Sequence, residues 1–132
     1  MAPLAPGGDP VLTYNHMVVD LTDEQVDRMF RALADATRRS IVRETLLGEH
    51  SVSALASRFP MSFAAVQKHV AVLEEAGLVA KRRVGRQQLV TAQVETIRRA
   101  AGLLDQLEAV WRGRIDRIGE LLADDPTGGP TA

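Results

Sequence analysis

The chain changes its hydrophobic period several times. In "LTDEQVDRMFRALAD" the apolar residues Val26, Met29, Phe30 and Leu33 recur at helical spacing behind a capping threonine, Thr22. Asp35 or Thr37 then caps a second helix, "TRRSIVRETLLG". It turns Ile41, Val42, Thr45 and Leu46 to one side and ends at Gly48. "SVSALASRF" predicts a short helix capped by Ser51 or Ser53, with Leu55 inward, stopped by Pro60.

The stretch "MSFAAVQKHVAVLEEAGLV" follows. Ser62 caps it, Val66, Val70 and Leu73 share one face, His69 stands at the edge, and Gly77 ends it. The period then becomes two. Leu78 to Val84 and Gln88 to Gln93 predict two strands around a Gly85–Arg86 turn. From about Val94 to Ala123 the helical period returns, over a length of some 45 Å.

That final helix carries two apolar stripes. Ile97, Ala101, Leu104, Trp111, Ile115, Ile118 and Leu122 form one, interrupted at Glu108. Leu103, Leu107, Val110 and Leu121 form the other. Two stripes predict two partners, the chain's own domain and another subunit.

The fold class is therefore mainly α with a small β-hairpin, in the order of a winged helix-turn-helix with a long C-terminal helix. Residues 1–12 and 124–132, rich in Pro and Gly, are expected to be disordered tails around one domain at 13–123.

Composition narrows the chemistry. The 132 residues are 45% apolar but only 4% aromatic, so the core is aliphatic. There is no cysteine, which excludes disulfides, thiolate metal sites and a cysteine nucleophile. The three histidines, His16, His50 and His69, are scattered, so no metal or other cofactor is expected. No apolar run suits a membrane span, and "MAPLAPGGDP" does not read as a signal peptide; the expected location is the cytoplasm.

Net charge is −1, but its distribution is uneven. Between Val66 and Val90 the bases Lys68, Lys81, Arg82, Arg83 and Arg86 outnumber Glu74 and Glu75, a net of +3. Between Asp20 and Asp35 the net is −3. A basic centre of this kind attracts an anionic polymer locally.

The polar face of the capped helix suits base edges in a major groove, which admits one helix. Gln67 can bond adenine bidentately, Lys68 can bond guanine or phosphate, and Ala64 permits close approach. Phe63 either touches a thymine methyl or folds back on Phe59. Ser62 caps and can also reach a phosphate, with His69 near the backbone. Lys81, Arg83, Arg86 and Gln87 of the hairpin are expected at neighbouring phosphates. Arg38 and Arg39 open a helix, where the dipole disfavours cations; phosphate contact or an ion pair with Asp35 would compensate. No nucleophile–base pair or phosphate loop appears, so no enzyme is expected. A protein–protein module without DNA binding is the alternative.

"FRALADATRRSIV", "VSALASRFPMSFAAVQKHVAVLEEAGLVAKRRVGRQ" and the long last helix resemble the ArsR-type winged-helix repressors, in the branch without cysteine metal sites. The resemblance runs roughly from Tyr14 to Leu122. It departs at Ala36, where proline is common, and at Gln67, where serine is common. It implies a homodimer held by the first and last helices on an inverted-repeat operator in double-stranded DNA. Met29, Leu103, Leu104, Leu107, Trp111, Ile115 and Ile118 are the residues expected at the dimer seam. The family's metal function does not carry over: "VSALAS" has no cysteine pair, and the last helix has no histidine.

Overall fold

The computed structural model describes residues 11–14 and 17–123. An antiparallel hairpin of β1 (Val11–Tyr14) and β2 (Met17–Asp20) precedes α1 (Asp23–Leu33) and α2 (Ala36–Leu47). Then come β3 (His50–Ser51), α3 (Val52–Ala56), α4 (Phe63–Glu75), β4 (Val79–Val84), β5 (Gln87–Ala92) and α5 (Val94–Ala123). Val11 and Leu12, placed in the N-terminal tail by sequence, thus belong to a strand. The rest of the predicted tails lies outside the described residues.

Local chemistry sets the helix boundaries. Thr22 and Gln25 form a reciprocal capping box at the start of α1. Asp35 caps α2, Ser51 caps α3, and Ser62 caps α4 through Ala65 N–H at 3.1 Å. The exit of α4 is a Schellman motif. Gly77 N–H bonds Glu74 C=O, Leu78 N–H bonds Leu73 C=O, and Gly77 takes φ 75°. Leu73 and Leu78 are both fully buried, so this motif locks the turn from α4 into β4.

The main core is aliphatic: Ile41, Leu55, Val66, Val70, Leu73, Leu78, Val79 and Val90 pack between α2, α3, α4 and the sheet. Truncating Leu73 to alanine should cost roughly 2–5 kcal/mol. Leu46, expected on the inner side of α2, is instead about half exposed. The sheet order is β3-β5-β4, all antiparallel. β3 therefore ties the hairpin to the residues that start α3. It escaped the sequence reading because a two-residue strand has no period.

A second cluster joins α1 to α5: Leu21, Met29 and Ala100, with Val26 and Phe30 against them. Met29 is 1% exposed. It is a core residue of its own protomer and is removed from the expected dimer seam.

The start of α5 is embedded, with Ala100 and Gly102 buried and Leu103 half-buried. Farther along, Leu104, Leu107, Val110, Trp111, Ile115, Ile118, Leu121 and Leu122 are all exposed. The two-stripe expectation needs correction here. Beyond Leu103 the protomer covers neither stripe.

Candidate nucleic-acid interface

The helix-turn-helix is α3, the turn through Phe59 to Met61, and α4. Phe59 and Met61 pack against the core and fix the turn. Val66, Val70 and Leu73 fasten α4 inward. This anchoring leaves Phe63, Ala64, Gln67 and Lys68 exposed along its first half.

The wing of β4 and β5 stands beside this face. Gly85, at φ 61°, provides the positive φ that primed hairpin turns need. Opposite residues pair as Lys81 with Val90 and Arg83 with Gln88. Lys81 and Arg83 thus share a sheet face, as alternation predicted, but their surroundings differ. The Lys81 ammonium lies 3.3 Å from a carboxylate oxygen of Glu74. Arg82, on the other face, is paired with Glu49 at 2.9 Å. Arg83 and Arg86 have no carboxylate partner among the described residues. In the chain without DNA, Lys81 thus braces the wing against α4, while the uncommitted charge sits toward the tip.

Phe63 and Gln67 of α4 face Arg83, Arg86, Gln87 and Gln88 of the wing across a trough of about 280 Å³. Ser51, Val52 and Ser53 close one end. The structure thus gathers five of the residues singled out by sequence. It adds Ser53 and Gln88, which the sequence reading missed. Gln88 could have been found from its register opposite Arg83. Ser53 carries no such signal, because only the fold brings the start of α3 to the wing.

Arg38 and His69 belong elsewhere. The Arg38 guanidinium bonds the carbonyl oxygens of Ala32 at 2.7 Å and Arg31 at 3.1 Å, and approaches His69 Nδ1 at 3.4 Å. Arg39 bonds Leu33 C=O at 2.8 Å. Both arginines thus satisfy the final carbonyls of α1, where the helix dipole favours cations. This resolves their awkward place at the start of α2. Neither arginine forms a side-chain ion pair with Asp35. Asp35 instead accepts the Arg38 backbone N–H at 3.0 Å. That bond, helped by the Arg38 charge, holds the Asp35 carboxyl below its ordinary pKa. Arg38 and His69 form a joint between α1, α2 and α4.

Comparison with known proteins fits this geometry. Residues 33–82 match the family described as "Helix-turn-helix domain". The chain is 35% identical over 96 residues to the HTH-type transcriptional regulator Rv2034 of Mycobacterium tuberculosis, covering 73% of this chain and 87% of that one. An ArsR-like transcriptional regulator from a Rhodococcus species superposes with a TM-score of 0.67 at 33% identity, covering 74% of this chain and 92% of the other. The chain belongs to the ArsR family of helix-turn-helix transcriptional regulators.

A homodimeric winged helix-turn-helix DNA-binding domain from Mycobacterium bovis, a possible ArsR-family regulator, gives a TM-score of 0.55 at 31% identity, covering 65% and 79%. Membership of the ArsR family makes the chain a DNA-binding transcription regulator by class, and the family is one of regulators, not enzymes. Among the described residues, no group of three or more His, Asp or Glu is placed to hold a metal ion. No helix among them is long and apolar enough to cross a membrane.

Proposed function

We propose that this ArsR-family chain is a repressor that binds an inverted-repeat operator as a homodimer. The observation that carries the reading is the trough between α4 and the wing, with Gln67 on one wall and the uncommitted Arg83 and Arg86 on the other. In this reading α4 lies in the major groove, with Gln67 and Lys68 toward base edges. The wing side of the trough, Arg83, Arg86, Gln87 and Gln88, with Ser53 beside it, meets the phosphates of the strand flanking that groove, while its α4 side faces the bases. Ser62 stays a cap.

The homodimer rests on α5. Its far half exposes large apolar residues that water would otherwise cover, at a cost of about 25 cal/mol per Å². A second copy removes that exposure through one self-complementary patch. The homodimeric state of the Mycobacterium bovis relative supports the same arrangement. Two α4 helices would then enter successive major grooves about 34–36 Å apart.

The test is fluorescence anisotropy with DNA from upstream of the chain's own gene, paired with a reporter driven by that DNA. Tight, salt-dependent binding and a reporter that rises when the chain is deleted are expected. Absence of binding beyond that to random DNA, or a reporter that falls on deletion, would contradict the proposal.

A further inference from the structure

Phe63 is unexplained by packing. It is 47% exposed although it opens a helix anchored by Val66, Val70 and Leu73. A hydrophobic staple joins the residue before the cap to the fourth helical residue. With Ser62 as the cap, those positions are Met61 and Val66, and both belong to the core cluster. The staple position is therefore taken without Phe63. Of the two alternatives for Phe63, folding back on Phe59 would bury its ring, yet Phe59 is half-buried against the core while Phe63 stays exposed. Phe63 instead stands on the wall of the trough, one helical turn before Gln67.

A phenyl ring has no donor or acceptor. Against a polar base edge it would strip water without replacing a hydrogen bond. In the major groove one base feature is apolar, the C5-methyl group of thymine. Four helical residues advance about 6 Å, and base pairs are stacked about 3.4 Å apart. Phe63 and Gln67 therefore address base pairs one or two steps apart.

Resting on the proposal that α4 enters the major groove, we propose that Phe63 determines specificity by reading a thymine methyl, one or two base pairs from the base read by Gln67. Each half-site then carries a thymine whose value lies in its methyl group and not in its hydrogen-bonding edge.

The experiment replaces each thymine of a selected operator by deoxyuridine, which deletes the methyl and keeps base pairing. Wild type should lose about fourfold in affinity at one position per half-site, the effect of one buried methyl. Phe63→Ala should bind the unmodified operator more weakly and be indifferent to that replacement. Phe63→Leu, which keeps an apolar tip, should retain part of the sensitivity. Both variants should sediment and melt like wild type, because Phe63 supports no core. Wild type that binds tightly yet ignores every uridine substitution would overturn the inference and leave the DNA-binding proposal standing. Sensitivity that persists in Phe63→Ala, or a change of assembly state in that variant, would overturn it as well. Failure of wild type to prefer any sequence in the selection would overturn both.

Discussion

Two helices, α4 and α5, each leave a face uncovered, and the faces are opposite in kind. The outer face of α4 presents Gln67 and Lys68 beside uncommitted arginines of the wing. The outer face of α5 presents Leu104, Leu107, Trp111, Ile115 and Ile118. A polar face costs little in water and stays ready for a hydrophilic polymer. An apolar face of that extent is stable only when another surface covers it. Under the proposed function the two helices take different partners, and the second is a condition for the first, since a dimer would space two α4 helices for one operator.

The largest effect should come from α5. Leu104→Glu or Trp111→Glu puts an unpaired charge in the seam. Both should release monomers on sedimentation, with operator affinity falling roughly 10²–10⁴-fold through loss of bivalency. A variant that stays dimeric would remove its position from the seam. Smaller effects belong to α4. Gln67→Ala should relax preference at one base pair by about 1–3 kcal/mol and leave others unchanged, as read by selection from random DNA.

The wing should respond uniformly across sequences. Arg83→Ala or Arg86→Ala should weaken all DNA alike and lower the salt slope by about one unit. Lys81→Ala, whose charge already faces Glu74, should change that slope far less; an equal drop would restore Lys81 to the interface.

The smallest effect concerns the joint that holds α4. The Asp35 carboxylate is stabilised by the Arg38 N–H, so its folded pKa lies below the ordinary 3.8. Its contribution is present at neutral pH and is lost as pH falls through that depressed value. Asp35→Ala should therefore lower the melting temperature at pH 7 and lower it less at pH 3. Equal losses at both pH values would remove the charge from the account.

These assignments were legible in the sequence to different depths. Caps at Thr22 and Ser62 and the stop at Gly77 depend on neighbours three to five residues away, and local spacing reveals them. So do the buried faces of α4 and the strands of the wing. The intrachain contacts of Arg38, Lys81 and Met29 stayed hidden for one common reason. Their partners are Ala32 and Arg31 carbonyls, Glu74 and Ala100, and only the folded chain brings these close. Sequence showed that α1 and α5 have apolar faces, but not that α1 spends its face within the protomer. The Val11–Asp20 hairpin left a signal in its β-branched residues that the helical periods around it obscured.

The most direct test is sedimentation of the wild-type chain at micromolar concentration, alone and with operators whose half-sites are spaced differently. Two chains per operator are expected, with the tightest binding at a centre-to-centre spacing of roughly 10–10.5 bp. A folded monomer that binds its operator equally tightly at every spacing would contradict the account.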